Sequence, residues 1–262
     1  MDPLLVTSGF VCAAAIAVLS YRLRHLTPGG AVAQFLLGWT LFGLGGFPWA
    51  VPILVFYVSS TALSRWSLRK RPALHEGFAK GATRDAAQVL ANGGVAGICV
   101  TVWFVLNTDA AYVAGVSSMA AAAADTWGTE LGIFSRSRPR LLAGWMETEP
   151  GASGGVTWFG TAAAAGGALL VAAGALMWLA SPGQFGAVVL GGLSGALVDS
   201  LLGATLQSMR RCRVCGRLTE RGVHCGQPAL HARGLGWMSN DMVNLFCTVA
   251  GALAGSLLSV IV

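Results

Sequence analysis

The chain has 262 residues, 55% of them hydrophobic and only 11% charged, with a mean hydropathy of +0.65. A soluble domain carries about 25% charged residues, so this composition excludes an ordinary soluble enzyme and predicts one polytopic membrane domain over residues 1–262. The net charge of +6 sits in links between apolar segments, which argues against a nucleic-acid partner and for basic loops beside anionic headgroups.

In chain order the apolar segments are 4–20, 30–47, 49–64, 85–106, 109–127, 157–180, 184–206 and 240–262. Most approach the ~17–25 residues that cross a bilayer as a helix. The third is short and contains Pro52. The expected fold is therefore an all-α bundle of eight transmembrane helices, or seven if the third pairs with a neighbour. Arg22 and Arg24 follow the first segment and no basic residue precedes it, the reverse of a cleavable leader. The abundance of glycine, 36 residues, suits helices that pack closely in lipid.

All 17 Lys and Arg fall in four connections, 21–29, 65–84, 128–156 and 207–239. With eight spans these lie on one side of the membrane. The positive-inside rule makes that side the cytoplasm and leaves both termini outside, as in a multi-pass protein of the cell inner membrane.

Asp2 and Asp109 are assigned to the outer side. The other nine acids, Glu76, Asp85, Asp125, Glu130, Glu147, Glu149, Asp199, Glu220 and Asp241, lie in or near the basic connections. A charge inside a membrane costs ~2.5–3.5 kcal/mol or more at the helix centre, so acids at span ends point to one polar site open to the cytosol. In "ATRDAAQVLANGG", Arg84, Gln88 and Asn92 follow at i, i+4, i+8 and make one stripe, with Asp85 beside it. In "GGLSGALVDSLLGATLQ", Asp199 shares a face with Gly192, Gly195 and Gly203; in "SNDMVNLF", Asp241 precedes Asn244 by three. Polar residues of this kind also serve as glue between helices. Asp125, Asp199 and Asp241 together point instead to Mg²⁺, which is held by one or two carboxylates plus substrate phosphates.

The loop "METEPGASGGVTWFG" opens the sixth span. Gly151, Gly154 and Gly155 permit close backbone approach, and Ser153 and Thr157 offer hydroxyls. A glycine turn feeding a helix N-terminus suits phosphate, although no Walker lysine is present. Arg84, Arg136, Arg138 and Arg140 are further candidates for a nucleotide's charge.

Cys12, Cys99 and Cys247 lie within apolar spans and read as buried small residues. In "CRVCGRLTERGVHC", Cys212, Cys215 and Cys225, completed by His224 or His231, resemble a zinc knuckle. With only protein ligands such a zinc would be structural and would brace the loop between Asp199 and Asp241.

"QVLANGG", "ADTWGTELG", "EPGASGGVTWFG", "GALVDSLLGATLQ", the "CRVCG…HC" loop and "NDMVNLF" resemble, in this order, the motifs of the DUF92/TMEM19-like membrane family. The resemblance covers about residues 30–260. That family includes the phytyl-phosphate kinases of the tocopherol pathway and is related more distantly to CTP-dependent phytol and dolichol kinases. The resemblance implies phosphoryl transfer from CTP to an isoprenyl monophosphate with a divalent metal. By motif, Gln88 and Asn92 would line the site, and Asp125, Thr126 and Glu130 would contact metal and nucleotide. Gly151, Gly154 and Gly155 would form the phosphate turn. Asp199, Ser200 and Gln207 would lie on the seventh span, and Asp241 and Asn244 on the eighth. Mg²⁺ would be held by some of Asp125, Glu130, Asp199 and Asp241, and the small-residue faces of the fourth, fifth and seventh spans would leave a groove for the isoprenyl chain. The alternatives are a CTP-dependent isoprenol kinase, a lipid cytidylyltransferase, or a transporter. Clustering of the acids at one face, without an internal repeat, argues against transport.

Overall fold

A computed structural model describes residues 3–72 and 83–261; Asp2 and Glu76 lie outside the described residues. Among them are eight helices of at least eighteen residues: α1 Pro3–Arg22, α2 Pro28–Gly45, α3 Phe47–Lys70, α4 Ala86–Leu106, α5 Asp109–Gly132, α6 Trp158–Ala175, α7 Pro182–Thr205 and α8 Asn240–Ile261. They match the eight expected segments. Six are long and apolar enough to cross a membrane by length and composition; α2 and α5 are the other two. The protein is a polytopic helical membrane protein.

The helix boundaries have local causes. Thr27, Asp85, Thr157 and Ser181 each accept a backbone N–H from the first turn of the helix they precede, and Pro28 and Pro182 occupy the first helical position, where a missing N–H costs nothing. Asp85, grouped above with the polar stripe, is thus the cap of α4. Gly46, at φ 62°, is the whole connection between α2 and α3. The helix α3 runs past the expected end at residue 64, carrying Arg65, Arg69 and Lys70 beyond the apolar stretch, and Pro52 is accommodated inside it.

The axis of the bundle is α5. Every residue from Ala111 to Ala124 except Ala114 is buried, and α3, α4, α6, α7 and α8 all pack on it, several of them through small residues. A Cβ on Gly192 would meet Ala120 and Ala168, one on Gly195 would meet Ala121 and the Cys247 carbonyl, and one on Gly251 would meet Ala121. The small side chains of α5 therefore fill the core along most of its length. At the end away from the basic links, fully buried Trp49 packs edge-on to Tyr112, whose hydroxyl donates to the Pro48 carbonyl at 3.0 Å.

At the other end the long links are short-stranded rather than purely irregular. Strands β1 (Arg140–Leu141) and β2 (Gly155–Val156) pair antiparallel. The segment between α7 and α8 holds a three-stranded sheet of order β4-β3-β7, from Met209–Arg211 (β3), Leu218–Thr219 (β4) and Leu230–Arg233 (β7). It also holds a hairpin of β5 (Val223–His224) and β6 (Gln227–Pro228).

Candidate functional site

A cavity of about 320 Å³ opens among the basic-end termini of α3 to α8. The helices deliver the predicted residues to it. Arg84, Gln88 and Asn92 come from the start of α4, and Asp125, Thr126 and Glu130 from the last turns of α5. Gly151, Ser153, Gly154 and Gly155 come from the turn before β2; Asp199 and Ser200 come from α7, and Asn244 from α8. Gln207 also lines it, from just beyond the end of α7 rather than within the span. Thr61, Ser64, Thr129, Glu220 and Asn240 complete the polar wall, and Gly160, Thr161, Ala164, Leu193, Ala196 and Leu197 form an apolar one between α6 and α7.

Asp241 does not line the cavity. Asn240 and Asn244, four apart, do, and Asp241 is turned from them by about 100° and about 60° of helix respectively. Nor do Arg136, Arg138 and Arg140 reach the cavity; Arg140 pairs with Glu147 at 3.2 Å.

The centre is a carboxyl pair. The Asp125 and Asp199 carboxyls lie side by side, close enough to interact, with Thr129 beside Asp125. Two carboxyls can approach in this way only with a proton or a cation between them. The Asp199 Oδ2 atom is buried without a hydrogen-bond partner, as is Gln88 Oε1 on the facing helix. Glu130, 9% exposed, lies one turn further along α5, and its backbone carbonyl accepts from Ser67 at 3.3 Å. These all-oxygen donors fit a hard divalent cation such as Mg²⁺. Among the described residues no third carboxylate converges closely enough on the pair to make a preformed three-carboxylate centre. The Thr126 hydroxyl is committed to the Ala122 carbonyl at 2.8 Å.

Arg84 supplies the positive charge. Its backbone is pinned by His25 O and Thr27 N at 2.9 and 3.0 Å, and Gly30 has no side chain that would meet its carbonyl. Burial lowers its pKa from the ordinary value, opposed by the Tyr57 hydroxyl and Glu130, yet an arginine remains charged.

The glycine turn is docked rather than loose. Gly151 and Gly154 hold φ of 82° and 80°, accessible to glycine without strain. A Cβ on Gly154 would strike the Ala204 backbone, and one on Gly203 would stand 2.8 Å from Gly154 N. The turn therefore rests on the end of α7. The Ser153 hydroxyl donates to Glu220 Oε1 at 2.7 Å, and Gln207, 2% exposed, donates to the same oxygen at 2.9 Å. Glu220 was visible in the sequence as an acid in a basic loop, but no spacing rule tied it to the cavity.

The cysteine cluster is built as the sequence suggests, and His224 rather than His231 joins it. The ligand atoms of Cys212, Cys215, His224 and Cys225 all lie within 4.8 Å of one another, and His224 Nδ1 is 3.6 Å from Cys215 Sγ and 3.3 Å from Cys225 Sγ. Adjacent ligands are accommodated because Cys225 and Gly226, at φ 51° and 73°, make the left-handed two-residue turn of the β5–β6 hairpin. In the Cys-x-x-Cys knuckle, Val214 N donates to Cys212 Sγ at 3.4 Å. Hydrogen bonding from the Cys215 backbone, chiefly, pulls the Cys212 thiol down to about 6, while the Cys215 side chain first of all pushes Cys225 up to about 11. Crowded thiols that cannot all ionise at once are relieved by a bound cation.

The family description "Integral membrane protein DUF92" matches residues 11–252. The chain is 29% identical to Protein PGR of Arabidopsis thaliana over 94% of its own length and 93% of that protein. It is also 29% identical to an uncharacterized membrane protein of Methanocaldococcus jannaschii, over 93% and 90% of the two chains. No solved structure matches.

Proposed function

Starting from a chain that belongs to the DUF92 family of integral membrane proteins, we propose that it is a membrane-embedded phosphotransferase using CTP to convert an isoprenyl monophosphate to the diphosphate at the cytoplasmic face. The observation that carries this reading is the Asp125–Asp199 pair, with its unpartnered buried oxygen, in one cavity with Arg84, the docked glycine turn and an apolar wall. A soluble anionic donor and a lipid anion need such a mixed cavity. The choice of CTP and of an isoprenyl acceptor follows the motif resemblance.

In this mechanism Arg84 and the backbone of residues 151–155 bind and orient the donor phosphates, while Asp125 and Asp199 hold the divalent cation. When bound, that cation neutralises charge on the donor oxygens. An acceptor phosphate oxygen attacks the terminal phosphorus, the bond to the bridging oxygen breaks, and CDP leaves with the electron pair. Phosphoryl transfer of this kind rests mainly on positioning and electrostatics. The acceptor oxygen is already ionised near neutral pH and needs no base, in keeping with a cavity in which no histidine is found among the described lining residues. The apolar wall between α6 and α7 would take the first isoprene units.

The test is donor-dependent turnover of the purified protein in detergent with Mg²⁺, CTP or ATP, and phytyl or geranylgeranyl monophosphate. Formation of isoprenyl diphosphate and CDP, abolished by Asp125→Asn and Asp199→Asn, is the expected result. No turnover with any donor from a folded protein would defeat the reading and favour a non-enzymatic role.

A further inference from the structure

The segment between α7 and α8 buries few apolar side chains, chiefly Met209, Cys212 and Met238. Its strands are two to four residues long, and Val214, Leu218, Val223 and Leu230 are all exposed. Small units without a core are commonly stapled by metal or disulfide. Here the staple available is the four-ligand cluster, in which His224 Nδ1 stands 3.3 Å from Cys225 Sγ and 3.6 Å from Cys215 Sγ. Four N and S donors around a tetrahedral zinc at ~2.0–2.3 Å are ~3.3–3.8 Å apart.

Glu220 lies on the strap between the two ligand pairs. Cys212 and Cys215 close the β3–β4 hairpin on one side of it, and His224 and Cys225 turn the β5–β6 hairpin on the other. Thr219 next to it is buried, pairing with Arg210, and the Arg210 side chain donates to the Glu220 carbonyl at 3.0 Å. The Glu220 carboxylate then accepts from Ser153 of the glycine turn and from Gln207.

We propose that Cys212, Cys215, His224 and Cys225 bind one zinc ion, and that this ion, by fixing both ends of the strap, makes Glu220 a positioning residue for the 151–155 turn. The metal site stands independently of the kinase reading; calling the turn a phosphate cradle rests on it. Loss of zinc frees the strap, removes the shared acceptor of Ser153 and Gln207, and loosens the turn without touching the Asp125–Asp199 pair.

The test uses the full-length protein in detergent. Elemental analysis should find one zinc per chain, and exchange to cobalt(II) should give the absorption of a tetrahedral thiolate centre; Cys215→Ser should lose both. Glu220→Gln should keep the full metal content. Hydrogen exchange of residues 149–156 should then quicken by about tenfold both after chelation and in Glu220→Gln with zinc in place, as expected for local opening. If turnover exists, Glu220→Gln should raise the nucleotide KM about tenfold, the loss of one charge-assisted hydrogen bond, with kcat nearly unchanged. A folded protein without bound metal overturns the proposal, and so does unchanged exchange of the turn in Glu220→Gln. Bound zinc with faster exchange but no turnover would uphold it while defeating the kinase reading.

Discussion

The interior around α5 and the ribbon of residues 207–239 solve the same problem by opposite means. In the bundle, small residues bring backbones together: Gly195 and Gly251 both close on Ala121, and Gly192 on Ala120. Lipid already confines these helices, so shape complementarity suffices and few directional bonds are needed. The ribbon has little apolar burial of its own beyond Met209, Cys212 and Met238. It relies on directional contacts, with Arg233 donating to the Gly203 and Ala204 carbonyls at the end of α7 and Gln207 bonded to Glu220. The cavity lies where the two meet, which gives its polar wall to hydrogen bonds and its apolar wall to packing.

The comparison can be broken first at the junction. Asp199→Asn should keep the fold and lower turnover by about 10³-fold or more, the scale of losing a preorganised charge in the reaction's field; steady-state assays read it. Within the bundle, Gly195→Leu should cost about 2–3 kcal/mol by overpacking, since even its Cβ would stand 2.5 Å from that of Ala121. Thermal unfolding in detergent should fall by about 5–10 °C. Thr157→Ala removes the hydroxyl that caps α6 at 2.9 Å and should cost about 1 kcal/mol, visible in the same melt.

The smallest effect is one of pH. His25, in the link between α1 and α2, has its pKa lowered by burial first and then by Arg65 and Arg84. The unfolded chain therefore takes up a proton at this position before the folded one does. Stability from the neutral form is complete above pH 6.5 and falls as pH drops through the unfolded value toward the lower folded one. The loss should stay under about 1 kcal/mol at so exposed a site, and His25→Gln should flatten the slope between melts above and below that pH.

The spans were legible because hydropathy and basic links mark them without any tertiary knowledge, and the three loop cysteines because ligand spacing is local, while the choice between His224 and His231 was open. Asp125 and Asp199 could be named, but not joined: their contact depends on α5 and α7 crossing at glycine. Glu220 was opaque for the same reason, since its partners are 67 and 13 residues away. That His224 would be the fourth ligand beside Cys225 could not be read from spacing, because a left-handed cysteine is uncommon and nothing in the sequence announces one. Asp241 misled in the other direction: its three-residue spacing to Asn244 suggested one face, while the cavity takes the face of Asn240 and Asn244.

The one-residue link at Gly46 bears on biogenesis. A single residue cannot span the membrane's polar border and return, so α2 and α3 have no independent existence as inserted segments. The two helices must therefore enter the bilayer together as one helical hairpin, and lengthening that link would uncouple them.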